Sequence, residues 1–86
     1  MSRLAGAVHT EAYRFLRKEL VELRRSAGLS QANLAEKLGK PASYVAKYEL
    51  GERRLDVVEL CIILKAVTSE PEVFFGKLLD ASPSKL

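Results

Sequence analysis

The sequence predicts an all-α domain of five short helices, and three observations carry that reading. Apolar residues recur at helical spacing in successive segments, and each segment is bounded by a capping residue, a glycine or a proline. Strand signals are missing: no alternating run of β-branched residues occurs, and no Asn-Gly or Asp-Gly pair marks a hairpin. Eighty-six residues, 48% of them hydrophobic, suffice for one core and leave little room for a second.

The first helix is expected from Thr10, a suitable N-cap, to Ala27. Its apolar positions Ala12, Leu16, Leu20, Leu23 and Ala27 form one stripe, and Gly28 ends it. Ser30 caps a short second helix, about 30–38, with Leu34, Ala35 and Leu38 inward and Gly39 closing it. Lys40 precedes a proline and is pushed toward an extended conformation. Pro41 suits the first position of a third helix, about 41–50, whose inner side carries Val45 and Tyr48 and whose stop is Gly51. Asp56, with Glu59 three residues on, resembles a capping box for a fourth helix, about 56–67. Pro71 marks the first turn of a fifth, about 70–81. The folded domain is thus expected over 10–81, between loose tails at 1–9 and 82–86.

The bulk chemistry narrows the function. Cys61 is the single cysteine, so no intrachain disulfide exists and a reducing compartment fits. Neither a signal-peptide pattern in "MSRLAGAVHTEAYRF" nor a membrane-length apolar run is visible, so a soluble, cytoplasmic protein is expected. No nucleophile–base pairing, glycine-rich phosphate loop or metal-ligand spacing occurs. His9 stands without Cys, Asp or Glu at ligand distance, and Cys61 reads as a buried small hydrophobe in helix four. An enzyme, a metal site or a cofactor is not expected.

Charge distribution points elsewhere. The net charge is only +3, but Lys37, Lys40, Lys47, Arg53 and Arg54 face just Glu49 and Glu52 in the middle of the chain. From Leu55 onward three basic residues meet five acidic ones. A localised basic patch fits a polyanionic partner. It coincides with "GKPASYVAKYELGERR", Gly39 to Arg54, where two short helices are joined by Gly39 and Lys40. So short a joint forces a sharp corner. Small Ala35 lets helix three cross closely over helix two, and Ala42, Ser43, Lys47 and the flank of Tyr44 project outward. This is helix-turn-helix geometry, whose second helix enters the DNA major groove.

The run "GLSQANLAEKLGKPASYVAKYELGERRLDVVELCIILKAV", Gly28 to Val67, resembles the Cro/CI-type (XRE) helix-turn-helix regulators of bacteria and phages. The resemblance lies in the Leu-Ser-Gln opening of helix two, its Leu-Ala pair, the turn glycine, the helix-three valine, and Glu49 followed by Gly51. It implies a lambda-repressor-like DNA-binding domain. By that resemblance Gln31 binds a backbone phosphate with the amides of its helix N-terminus. Pro41, Ala42, Ser43 and Lys47 occupy the base-reading positions, and Lys40, Tyr44, Arg53 and Arg54 reach flanking phosphates. Arg24 pairs with Glu49 as a structural clamp. The sequence departs from the family at Ala42, where glutamine is frequent and bidentate adenine recognition possible, and at apolar Leu50. Readout is then expected from Ser43, Lys47, Tyr44 and DNA shape.

Helices four and five are apolar nearly all round. Leu60, Cys61, Leu64 and Val67 are expected inward on helix four, and Phe74 and Leu78 on helix five. Val58, Ile62, Phe75 and Leu79 remain for a two-fold homodimer interface. The expected function is a homodimeric transcriptional regulator, most simply a repressor, on double-stranded DNA with a palindromic operator and no membrane role. Three alternatives stay open: an antitoxin holding a toxin on its apolar surface, a restriction–modification control protein, and a protein-interaction module that has lost DNA binding.

Overall fold

The computed structural model describes residues 10–86. The expected N-terminal tail and His9 lie outside the described residues. Five α-helices follow in order: α1 Glu11–Ser26, α2 Gln31–Leu38, α3 Ala42–Leu50, α4 Val57–Val67 and α5 Pro71–Ala81. No strand occurs among the described residues, so the all-α expectation holds.

Each start is set locally. The Thr10 hydroxyl accepts from the Tyr13 N–H at 3.2 Å. Ser30 accepts from Asn33 N at 3.0 Å while Asn33 Oδ1 accepts from Ser30 N at 3.4 Å. Asp56 and Glu59 exchange the same pair of bonds at 2.7 and 3.0 Å. Each such cap contributes about 1 kcal/mol by satisfying donors that a helix leaves open. Pro41 is a boundary correction: it precedes α3 as the N-cap, at φ −62° and ψ 153°. The extended ψ turns its carbonyl to accept Tyr44 N–H at 2.9 Å, which starts the helix one residue later.

The stops of α2 and α3 share one device. Gly39 and Gly51 adopt φ of 71° and 83°, a left-handed conformation that costs a side-chain-bearing residue about 1–2 kcal/mol. Lys40 N–H then returns to Ala35 O, and Glu52 N–H to Lys47 O, both at 2.9 Å. The first return tightens the corner between α2 and α3. The second aims the exit loop back across α1.

The core comprises Leu16, Leu20, Leu34, Ala35, Val45, Tyr48, Leu60, Ile63, Leu64, Val67 and Phe74. Fully burying a side chain of this size contributes about 1.5–3 kcal/mol. Ala35 is buried where α2 meets α3, so the helices approach without a bulky side chain between them. Around this core α1 packs on α3, α4 and α5, and α2 on α3 and α4. Lys77 Nζ on α5 reaches Glu19 Oε1 on α1 at 3.5 Å.

Several inward positions differ from expectation. Ala27 is an exposed C-cap, because α1 ends at Ser26 and Gly28 turns the chain away. Cys61 is exposed and Ile63 takes the buried place beside Leu60 and Leu64. A helix apolar all round gives no phase from sequence, and α4's contacts with α1, α2 and α5 select the Leu60–Ile63–Leu64–Val67 stripe. Phe75 is half-buried against the core edge, its ring meeting Phe74 at 5.8 Å and 81°. Residues 82–86 are non-helical and exposed.

Candidate nucleic-acid interface

The corner between α2 and α3 leaves one side of α3 in solvent. Val45 and Tyr48 anchor its inner side, while Pro41, Ala42, Ser43 and Lys47 are all exposed. The period of 3.6 residues explains the division: 45 and 48 share one face, and 43 and 47 share another. Lys47 forms no ion pair among the described residues, and neither does Arg54, which is exposed four residues beyond α3.

The flank built on Glu49 is tightly organised. Arg24 Nε donates to Glu49 Oε2 at 2.7 Å and its Nη2 to Oε1 at 3.2 Å, while its Nη1 caps the Leu29 carbonyl at 2.9 Å. Gln31 Nε2 donates to Glu49 Oε1 at 2.8 Å. One carboxylate therefore joins α1, the first residue of α2 and the last turn of α3. Gln31 gains a bracing role beside the phosphate-binding role implied by its position. Its side chain is half-buried, at the N-terminus of α2, where the first-turn amides favour an anion.

The other flank centres on Tyr44. Its half-buried ring meets Tyr48 edge-on at 5.8 Å, and carries the Lys40 Nζ at 5.4 Å and the Arg53 Cζ at 4.9 Å from its centroid. Arg53 Nη2 also donates to Glu59 Oε2. Burial pushes the Tyr44 hydroxyl above its usual pKa. The Tyr44 hydroxyl beside Arg53, and more weakly Glu59, hold the guanidinium in its charged form. Tyr48 is buried with no partner for its hydroxyl among the described residues, and that burial, with the nearby Glu49 charge, keeps the phenol neutral.

Glu59 does two things at once. It closes the α4 capping box through Oε1 and holds Arg53 through Oε2. The capping pattern was visible in sequence, but the ion pair was not, because nothing local signals a partner six residues upstream. The exit loop is fixed further by Leu55 N–H donating to the Tyr13 hydroxyl at 2.9 Å. Lys40, Tyr44, Arg53 and Glu59 thus form one cluster, Arg24, Gln31 and Glu49 form another, and α3's exposed residues lie between. Val58, Ile62 and Leu79 are exposed away from the core, with Val57 and Val73 as further exposed apolar residues on the same two helices.

A helix-turn-helix family model matches residues 20–74. The solved structure of an XRE-family like protein from Pseudomonas syringae pv. tomato str. DC3000 superposes with a TM-score of 0.80 at 36% identity, over 95% of this chain and 100% of that one. The curated proteins give no match. No helix among the described residues is long and apolar enough to cross a membrane. With the family match over most of the chain and the fold shared across nearly its whole length, the protein belongs to the XRE-type helix-turn-helix family of DNA-binding regulators.

Proposed function

We propose that the protein is a homodimeric, sequence-specific transcriptional regulator that represses by occupying a palindromic operator. The observation that carries this reading is α3 itself: a helix anchored by Val45 and Tyr48 with Ala42, Ser43 and Lys47 held out in solvent. Set into a major groove, Ser43 and Lys47 offer hydrogen bonds to base edges, while Pro41 and Ala42 offer only apolar contact, as to a thymine methyl. Gln31 on one flank and Lys40, Tyr44, Arg53 and Arg54 on the other take backbone phosphates. A two-fold dimer through α4 and α5 would set two α3 helices about 34 Å apart, one turn of DNA. The operator then follows the symmetry of the protein.

In-vitro selection from a random DNA pool, followed by affinity measurement across a salt series, tests this reading. An inverted repeat should emerge, and Lys47→Ala should reduce both affinity and the preference for it. A pool that yields no enriched sequence, with no binding at low salt, would leave the protein-interaction module as the better reading. The exposed Val57, Val58, Ile62 and Leu79 favour that second reading or an antitoxin role if they bind another protein rather than a second copy.

A further inference from the structure

One cationic surface lies outside the residues assigned above. Arg17 and Lys18 on α1 line an open groove of about 280 Å³ with Arg14, Val21 and Glu49. Arg17 precedes Arg24 by two helical turns and shares its face, the face turned toward the end of α3. Its guanidinium rests against the Gly51 backbone, where an added Cβ would overlap it. Its Nε is buried without a hydrogen-bond partner among the described residues.

The nearest carboxylate in the groove is already engaged. Glu49 Oε2 takes Arg24, and Oε1 takes both Arg24 and Gln31. The groove therefore keeps a surplus of positive charge. A cation beside the last turn of α3 is favourable through the helix dipole alone, which accounts for the position of Arg17. It does not account for an N–H removed from water with no acceptor. An arriving oxyanion meets together the Arg17 guanidinium and the ammonium of Lys18, which forms no ion pair among the described residues.

The groove's place identifies the anion. Gly51 lies in the chain between Lys47 and Arg54, and Glu49 separates the groove from Gln31 at the N-terminus of α2. DNA seated on α3 would pass its backbone along this edge, beside Lys47, Arg54 and Gln31. We infer that Arg17 and Lys18 form a further backbone-phosphate site, engaging DNA that flanks the bases read by α3. This inference rests on the DNA-reading role of α3.

Fluorescence anisotropy of the full chain with a labelled random-sequence duplex, from about 50 to about 200 mM salt, tests it. Arg17→Met keeps an unbranched side chain of similar reach and removes the guanidinium that rests on Gly51; Lys18→Ala changes an exposed residue. Each should flatten the log–log salt dependence by about 0.9 and weaken binding at low salt several-fold, with thermal melting within a few degrees of wild type. Unchanged slopes for both, while Arg54→Ala lowers its own, would overturn this inference and leave the α3 reading standing. A loss confined to Lys18→Ala would overturn the role of Arg17. Failure of the wild-type chain to bind at the lowest salt would overturn the α3 reading and this site with it.

Discussion

Arg24 and Glu49, 25 residues apart in the chain, meet at 2.7 Å with side chains only 9% and 6% exposed. A buried ion pair gives little net stability over an apolar pair of the same shape, but removing one member strands a charge without solvent. Removing Arg24 would also leave the Leu29 carbonyl without its donor, and removing Glu49 would leave Gln31 without its acceptor. Arg24→Ala and Glu49→Ala are each expected to lower the unfolding free energy by about 3–5 kcal/mol. Arg24→Met combined with Glu49→Leu should recover most of that loss, because neither charge is then left alone. Urea denaturation measures all three. Single variants that lose less than about 1 kcal/mol would show that this carboxylate does not hold the three helices together.

The helix plan was legible because its signals are local. Thr10, Ser30 and Asp56 cap the helices that they precede, and Gly39 and Gly51 stop the ones before them, all within a turn of their own residues. Val45 and Tyr48 could be placed inward because α3 has polar residues on its other side. α4 offered no such contrast: nine of the eleven residues in "VVELCIILKAV" are aliphatic, alanine or cysteine, with only Glu59 and Lys65 polar, so Cys61 is expected inward where Ile63 is buried instead. The site divides along the same line. The outward face of α3 follows from period alone. The Arg53–Glu59 pair and the seating of Arg17 on Gly51 depend on how α1, α3 and the exit loop cross, which no local pattern encodes.

Arg53 is held between Tyr44 and Glu59, so any phosphate must share it with a carboxylate. Glu59→Gln retains an oxygen for the Asp56 N–H and hence the capping box, while removing the competing charge. Neutralisation should therefore strengthen DNA binding at low salt by about 0.5–1 kcal/mol, a gain that shrinks as salt rises. Arg53→Ala should weaken binding and erase the gain in the double variant. Anisotropy titrations of the four proteins form a double-mutant cycle. If Glu59→Gln instead weakened binding as much as Arg53→Ala, the carboxylate would be positioning the arginine rather than competing for it.

The proposed dimer surface needs variants that do not disturb the core. Phe75 is unsuitable, since its ring packs half-buried against Phe74 and a charge there would damage the fold. Ile62 and Leu79 are 51% and 75% exposed, so a glutamate at either leaves the monomer's packing nearly intact. In a dimer formed through α4 and α5 the same glutamates would be buried opposite their own copies or against apolar partners, at a cost of several kcal/mol per ion. Ile62→Glu with Leu79→Glu should therefore sediment as a monomer while melting within a few degrees of wild type. Its operator affinity should fall steeply, because each half-site would then be bound independently. A wild-type protein that is already monomeric, or a double variant of unchanged mass, would remove α4 and α5 as the interface and leave their exposed valines and leucine for a different protein partner.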